Sequence, residues 1–252
     1  MTVRRLDIGC GPKRRPGFIG TDRFPMPGVS VVADLDAAGL PFADDSFDLI
    51  FACHSLEHIE DLPFVMSEVW RVGKPGAQVC ILAPYYTQAV NFANPYHKQV
   101  FNEHTPRFWT ASPRTRIDPA EFANHPHAPQ WGLSQSDNSR PGFDLRCLRM
   151  DFLYFREYRS LSPEEQRRAR KKYLDVCDQM VYYLAVFKPP MTEDDLDRLE
   201  MDFYDSPEMI ERRRVERLQE AEDRARLAAS VPAPALPPRR SWLDRLLGRE
   251  ER

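Results

Sequence analysis

Carboxylates and glycines alternate near the start of this sequence in a pattern that suits a nucleotide-like ligand. Asp7 ends a short apolar run, and Gly9 and Gly11 follow it. Glycine has no side chain, so a turn built on it lets the backbone approach a ligand closely. Asp22 ends the next apolar run, where acidic residues of nucleotide-binding folds hold a ribose diol. These residues predict a cofactor site, with a plain structural turn as the alternative.

Further candidate residues follow the third and fourth apolar runs. Asp34 and Leu35 are expected to close a third strand, where a carboxylate and an apolar side chain would flank an adenine. His54 follows the fourth run. We expect it either to lie beside the cofactor or to have a structural role.

Residues 54–58, which read HSLEH, also match the H-x-x-E-H pattern of one class of zinc peptidases. That class carries both histidines on one continuous helix, whereas this segment straddles a predicted junction between a strand and a loop. We therefore expect no metal site. Glu57 and His58 are expected to form a hydrogen-bonded pair at the start of a helix.

Short apolar runs alternate with turn signals and one clear helix, which is the pattern of a parallel sheet with crossover helices. The helix is predicted over residues 62–72, with Asp61 as its N-cap and Gly73 after its end. The fold class is therefore α/β, a Rossmann-like, doubly wound, mostly parallel sheet. Strands are predicted at residues 5–8, 18–21, 29–33, 49–53, 78–83, 143–156 and 181–188.

The connection between the first two strands is short for a parallel crossover, which usually needs about a dozen residues or more. The segment from Gly11 to Phe18 leaves no room for a full helix. We expect a loop, or at most one helical turn, in that place.

Several blocks in the same order resemble the class I S-adenosylmethionine-dependent methyltransferases, in the group often called methyltransferase type 11. The blocks are Asp7-Ile8-Gly9-Cys10-Gly11, Asp22, Ser55-Leu56-Glu57-His58-Ile59 and Lys74-Pro75-Gly76-Ala77. The resemblance covers residues 5–84 well and reaches weakly to the strand at 181–188. It departs at Lys13, which stands where the family often has a third glycine.

The resemblance implies S-adenosylmethionine as the cofactor. Backbone groups of the turn between Gly9 and Gly11 are expected to carry its methionine end. The basic side chains of Lys13, Arg14 and Arg15 are expected to face solvent, with a position near the cofactor carboxylate as the alternative. The residues implied in cofactor binding are Asp7, Gly9, Cys10, Gly11, Asp22, Asp34, Leu35 and His54.

The acceptor is expected on the polar, aromatic-rich segment of residues 85–141. Family members often show a similar Pro-x-His segment, which makes His97 the candidate base; a loop hydrogen-bonding role is the alternative. Methyl transfer from a sulfonium is a direct displacement, in which the protein aligns the reactants and a base removes a proton from a hydroxyl acceptor.

Composition narrows the remaining possibilities. The formal net charge of −3 gives no overall basic footprint for nucleic acid, and five scattered cysteines argue against a disulfide framework. No apolar stretch approaches the ~20 residues that span a membrane, and we expect no signal peptide. The sequence therefore predicts a soluble, cytoplasmic protein with no nucleic-acid partner and no transmembrane segment.

The predicted domain organisation has four parts. Residues 1–189 form the methyltransferase domain, with residues 85–141 as a substrate-side insertion or lid. A charged helical extension follows at 190–230, then a proline-rich linker at 231–240 and a short amphipathic tail at 241–252. Residues 207–252 are the segment predicted to mediate self-association or partner docking.

The leading functional hypothesis is an S-adenosylmethionine-dependent methyltransferase (EC 2.1.1.-) acting on a small-molecule or glycan-like acceptor at oxygen. The alternative is a non-catalytic module that keeps the fold and acts through its C-terminal helix and tail. A nucleotide-dependent oxidoreductase is the third reading, although Pro12, Lys13 and Arg14 interrupt the G-x-G-x-x-G pattern that such enzymes carry.

Overall fold

The computed structural model describes residues 3–110, 112, 117–118, 142–199, 219, 222–223 and 226. The chain divides into two compact units, Met1–Ser206 and Pro207–Arg252. The first unit carries the sheet and all the sites considered below. Most of the predicted lid beyond Thr110, the charged helix and the tail lie outside the described residues.

The first unit is built on a seven-stranded sheet with the order β3-β2-β1-β4-β5-β7-β6. The first five strands in this order pair in parallel, whereas β7 is antiparallel to both β5 and β6. The strands are β1 Arg5–Ile8, β2 Ile19–Asp22, β3 Val31–Val32, β4 Phe47–Cys53, β5 Gly73–Pro84, β6 Leu145–Tyr154 and β7 Cys177–Val186. This confirms the predicted α/β class and the mostly parallel sheet.

Five α-helices accompany the sheet in the described residues. The longest, α2, matches its prediction in both bounds: the Asp61 side chain accepts the N–H of Phe64, and Gly73 caps the other end. Burial of Val65, Val69 and Val72 fixes the helix face that packs on the sheet. The helices are α1 Leu35–Ala38, α2 Leu62–Val72, α3 Ala89–Ala93, α4 Pro163–Arg170 and α5 Glu193–Arg198.

The crossover between β1 and β2 consists of turns, as its length predicts. Phe18 covers the sheet there and is buried, with its ring in edge contact with Phe51 of β4. The guanidinium of Arg15 lies 5.0 Å from the Phe18 ring centroid and 4.6 Å from that of Phe51. The expectation that Arg15 faces solvent is therefore wrong in part, because its cation caps the aromatic pair, while Lys13 and Arg14 are exposed.

Several strand boundaries differ from the sequence prediction, and two of the differences have clear local reasons. Asp34 does not close a third strand: β3 ends at Val32, and the Asp34 side chain accepts the N–H of Asp36 as the N-cap of α1. β7 begins four residues before the predicted strand, because Cys177 to Met180 continue the ladder with β6.

The described start of the predicted lid is well packed. Phe101 and Trp109 are buried, and the Trp109 ring meets Tyr182 of β7 edge-on. The Tyr85 hydroxyl donates a 2.8 Å hydrogen bond to the buried carboxylate of Glu103. These contacts fix the segment that follows β5 over the edge of the sheet where β4 and β5 end.

Candidate active site

A cavity of about 710 Å³ opens at the carboxyl ends of β1 to β4. Such volumes are typical of small-molecule sites (about 300–1,000 Å³), and this edge is where ligands bind in open α/β sheets. Its lining residues are Ile8, Gly9, Thr21, Asp22, Arg23, Phe24, Met26, Ala33, Asp34, Leu35, Asp36, His54, Ser55, Leu56, His58, Ile59, Tyr96 and Lys98.

Five residues predicted to bind the cofactor line this cavity, and they come from four separate strand ends. They are Gly9, Asp22, Asp34, Leu35 and His54. Since β3, β2, β1 and β4 are consecutive in the sheet, the two carboxylates lie on one side of Gly9 and His54 lies on the other. The other predicted residues, Asp7, Cys10, Gly11 and His97, are not part of the lining.

Gly9 is required by a neighbouring side chain. Its φ is +63°, and a Cβ placed on it would lie 2.3 Å from the Cβ of Ser55. The Ser55 hydroxyl donates to the carbonyl of Ile8 at 2.9 Å, which holds the ends of β1 and β4 together. The sequence predicted that a ligand approaches this glycine closely, but in the structure the group that does so is the side chain of Ser55.

Asp7 stabilises the turn through a hydrogen bond. Its side chain is buried, and its Oδ2 accepts the backbone N–H of Arg15 at 3.0 Å. Burial raises the pKa of this carboxyl, against the opposing effect of the Arg15 hydrogen bond. The hydrogen bond from Arg15 thus supports a role for Asp7 in orienting the turn.

Two backbone amides of the turn are already engaged. The N–H of Cys10 donates to the carbonyl of Thr21 at 3.1 Å, and the N–H of Gly11 donates to Asp22 Oδ2 at 3.0 Å. Burial, with help from the charges of Asp7 and Asp22, raises the pKa of the Cys10 thiol to about 11. Cys10 and Gly11 thus join the turn to β2, and the thiol stays protonated.

The two carboxylates of the lining keep acceptor capacity toward the cavity. Asp22 accepts the N–H of Gly11 on Oδ2 and that of Phe24 on Oδ1, both at 3.0 Å. Asp34 pairs with Arg23 at 3.0 Å and accepts from Asp36. A carboxylate has about four lone-pair sites, so each can accept further hydrogen bonds.

The lining fits a nucleoside with hydroxyl groups. Carboxylates suit a ribose diol, and apolar side chains suit an adenine face. The buried hydroxyl of Thr21 has no hydrogen-bond partner among the described residues, so one more polar group faces this region unsatisfied. The apolar side chains of the lining are Ile8, Phe24, Met26, Ala33, Leu35, Leu56 and Ile59.

His54 pairs with Glu57, which corrects the expected hydrogen bond between Glu57 and His58. His54 Nδ1 lies 3.3 Å from Glu57 Oε1, and residues 56–58 form a short 3₁₀ turn. Burial alone would lower the pKa of His54, but the hydrogen bond and charge of Glu57 outweigh it and raise the pKa. The backbone φ of His54 is +49°, a strained value that is common at functional sites.

His97 lies behind the cavity wall, between the lining residues Tyr96 and Lys98. Its Nδ1 is 2.6 Å from Oδ1 of the buried Asn91, and its ring meets His58 edge-on at 4.9 Å. Burial lowers the pKa of His97. The structure thus brings His97 next to His58, which does line the cavity, and the predicted role as a base stays a prediction.

Sequence reasoning missed several lining residues. Phe24 and Met26 follow Asp22 closely, and Ile59 ends the Ser-Leu-Glu-His-Ile block, so their positions in the chain were a usable signal. Tyr96 and Lys98 carried none, because only the packing of the segment after β5 brings them to this edge. Among the described residues, no helix has both the length and the apolar character needed to cross a bilayer.

Comparison with known proteins places the matched region within one family. Residues 19–81 match the family described as a methyltransferase domain. A sterol 4-C-methyltransferase of Caenorhabditis elegans, strm-1, is 36% identical over 101 residues, covering 31% of this chain and 30% of the relative. A 2-phytyl-1,4-naphtoquinone methyltransferase of Nostoc punctiforme is 37% identical over 80 residues, covering 32% of this chain and 34% of the relative.

These matches span about a third of each curated relative. Among solved structures, a SAM-dependent methyltransferase from Archaeoglobus fulgidus aligns with a TM-score of 0.44 and 18% identity, over 73% of this chain and 86% of that one. The matched residues 19–81 run from β2 to the middle of β5 and include Asp22, Asp34 and the Ser-Leu-Glu-His-Ile block. Residues 19–81 of this chain are therefore similar to a methyltransferase domain.

Proposed function

We propose that the protein transfers a methyl group from S-adenosylmethionine to a hydroxyl oxygen of a small-molecule acceptor. The observation that carries the proposal is that one cavity has carboxylates on one side and histidines on the other. Asp22 and Asp34 face it from the ends of β2 and β3, and His54 and His58 face it after β4.

The carboxylate side is suited to hold the cofactor. Asp22 and Asp34 would accept hydrogen bonds from the ribose hydroxyls, and Leu35 would pack against the adenine. The predicted anchoring by free backbone amides of the turn is reduced, because Cys10 and Gly11 donate within the protein. We therefore assign most of the cofactor's binding to side chains of the cavity wall.

The histidine side is suited to the acceptor. The bound cofactor supplies a methyl group on a sulfonium, which a nucleophile displaces directly. The acceptor hydroxyl would lose its proton and its oxygen would form the new O–C bond, while the C–S bond would break with its electron pair left on sulfur. Alignment of the reactants within the cavity would supply much of the rate, and His97 beside His58 is the acceptor-side group that we propose assists the loss of the proton.

The class of acceptor is argued from the lining and from the relatives. Phe24, Met26 and Tyr96 give the cavity an apolar wall, and the two curated relatives are named for a sterol and a naphthoquinone. Both observations support a small, largely apolar acceptor. The sterol enzyme is named as a C-methyltransferase, so the choice of oxygen depends on the proton-accepting side chains of this chain. The glycan-like acceptor stays a prediction from sequence.

Calorimetry with S-adenosylmethionine and S-adenosylhomocysteine tests the cofactor. Both should bind the purified full chain, and NAD should not. Asp22→Asn should weaken the binding of S-adenosylhomocysteine by about 10- to 150-fold, the equivalent of about 1.5–3 kcal/mol for a hydrogen bond to a charged group. Binding of NAD in place of the two sulfur compounds would instead favour the oxidoreductase reading.

A matched control is available at the other end of the sheet. Asp48 lies near the start of β4 and its carboxylate lies 2.7 Å from Lys74 Nζ, so Asp48→Asn also removes a carboxylate charge. It should leave cofactor affinity unchanged. Equal weakening by both variants would show that Asp22 acts through folding and not through contact.

The acceptor side is tested by a separate variant. His97→Gln should lower the rate of S-adenosylhomocysteine release with a panel of hydroxylated apolar compounds by about 10²- to 10⁴-fold. Its affinity for S-adenosylhomocysteine should match that of the parent chain. An unchanged rate would remove His97 from the proposal.

A further inference from the structure

We infer that Glu57, His58 and His97 form a binding site for a divalent transition-metal ion at the acceptor side of the cavity. The inference rests on the proposed function for its role, but its evidence is the geometry of these three side chains. One donor atom from each lies within 4.8 Å of the others. This is the spacing of groups that share a single ion.

Glu57 supplies an unsatisfied charge. The residue is 1% exposed, and its Oε2 has no hydrogen-bond partner in the described part of the chain. Its other oxygen, Oε1, is 3.3 Å from His54 Nδ1. A buried carboxylate oxygen without a partner is costly, and a bound cation beside the two imidazoles would remove that cost.

Both histidines are held with one nitrogen occupied. Nδ1 of His58 lies 3.1 Å from the carbonyl oxygen of Tyr96, and Nδ1 of His97 lies 2.6 Å from Oδ1 of Asn91. An oxygen acceptor at Nδ1 places the proton there and leaves the lone pair on Nε2. Metal-binding histidines are oriented in this way by an oxygen that accepts from the second ring nitrogen.

The backbone holds the two contributing segments together. The N–H groups of Lys98 and Gln99 both donate to the carbonyl of Glu57, at 2.7 and 3.1 Å. The 3₁₀ turn that carries Glu57 and His58 is therefore tied directly to the segment that carries His97. The three donors owe their proximity to these bonds and not to a single helix, which is why the H-x-x-E-H pattern did not reveal the site.

The donor set favours zinc among common ions. Two imidazoles and one carboxylate form a three-ligand set that Zn²⁺ accepts, with the fourth position left for water or substrate. His58, Tyr96 and Lys98 line the cavity, so an open position on that side faces the proposed acceptor. A metal there would bind the acceptor hydroxyl and make it more acidic, so His97 would assist the loss of the proton as a ligand of the metal.

The first test measures zinc binding by the full chain after treatment with a chelator. Titration with ZnCl₂ should show one site, and His58→Ala should weaken it at least 10-fold. His58 is exposed, so this variant should fold normally. Asn91→Ala removes the side chain that holds the ring of His97. It should lower the affinity for zinc by about 10- to 100-fold, as the loss of a hydrogen-bond partner of a metal ligand does.

The matched control is Glu60→Gln beside Glu57→Gln. Glu60 is an exposed neighbour whose carboxylate lies 3.5 Å from Lys98 Nζ, outside the three-residue group. Glu57→Gln should abolish the site and Glu60→Gln should preserve it. Zinc binding that is equal in all variants, or absent from the parent chain, would overturn the inference.

Cofactor binding separates this inference from the proposed function. S-adenosylhomocysteine affinity is measured on the same protein samples with and without zinc. If S-adenosylhomocysteine binds and zinc does not, the metal site is wrong and the cofactor assignment stands. If zinc binds as expected and S-adenosylhomocysteine does not, the metal site stands and the proposed function fails.

Discussion

At the scale of single residues, Gly9 and Gly11 show that two similar glycines meet different constraints. Both have a positive φ, +63° and +55°. A Cβ on Gly9 would meet the Cβ of Ser55 at 2.3 Å, whereas a Cβ on Gly11 would meet nothing within 4 Å. Gly9 is therefore constrained by both backbone and packing, and Gly11 by backbone alone.

This difference predicts unequal costs of substitution. Gly11→Ala should lower the free energy of unfolding by about 1–2 kcal/mol, the cost of a left-handed residue with a side chain. Gly9→Ala should add about 1–3 kcal/mol to that for overpacking against Ser55. Urea denaturation of the two variants measures both values, and equal losses would show that the Ser55 contact can relax freely.

Glu68 and Arg71 of α2 form a second residue-level feature, which links the helix to the loop before β4. Arg71 contacts both oxygens of Glu68 at 2.7 Å and donates to the carbonyls of Leu40 and Phe42. Glu68 also accepts the N–H of Leu40. The hydrogen bond from Arg71 holds the pKa of Glu68 below its ordinary value of 4.5.

A lowered folded-state pKa sets the direction of the pH effect. The carboxylate stabilises the fold above its unfolded pKa, and this contribution is lost as the pH falls below 4.5 through the folded value. Glu68→Gln should therefore cost about 1–3 kcal/mol at pH 7 and progressively less in acid. Urea midpoints of parent and variant should converge at low pH, and a constant difference would contradict the assignment.

Only part of the candidate site could be predicted from the sequence. Asp22, Asp34 and Gly9 were found because strand ends and glycine turns have a local signature. The pairing of Glu57 with His54, and the group formed with His97, was not found. Those contacts depend on how the segment after β5 returns to the 3₁₀ turn, and nothing within either segment records that path.

At the scale of elements, the first crossover shows how a sheet face is covered without a helix. Phe18 is 4% exposed and fills the space, while Arg15 and Arg5 lie over its ring. The length of the connection predicted the loss of the helix, because too few residues were present to form one. The aromatic replacement was not predicted, since its partner Phe51 lies on a strand far along the chain.

Truncation of this cover should be costly. Phe18→Ala should lower the free energy of unfolding by about 3–5 kcal/mol, as for other buried aromatic residues. Phe92 of α3 is 64% exposed, so Phe92→Ala should change the free energy of unfolding by less than about 0.5 kcal/mol. Thermal or urea unfolding of the two variants tests this, and similar values for both would mean that Phe18 does not support the sheet.

At the scale of the whole molecule, the position of the domain boundary is the open question. The sequence placed it after residue 189, where composition changes, but the first compact unit runs to Ser206. Within it, Leu196 of α5 is 3% exposed, and Glu193 lies 3.0 Å from Arg146 of β6. Residues 190–198 are mostly charged, but the buried Leu196 attaches them to the first unit. Composition alone could not predict this contact.

Two truncations distinguish these boundaries. A chain ending at residue 206 should retain the unfolding free energy and S-adenosylhomocysteine affinity of the full chain, because the contacts of α5 remain. A chain ending at residue 190 loses Leu196, whose burial is worth about 1.5–3 kcal/mol, together with Glu193, one of the two ion-pair partners of Arg146. It should unfold at lower urea concentration, with cofactor affinity preserved below its transition, because the cavity is formed by the opposite side of the sheet around β1 to β4.

Equal stability of the two truncations would place the boundary where the sequence put it, and loss of cofactor binding in both would move part of the site into residues 207–252.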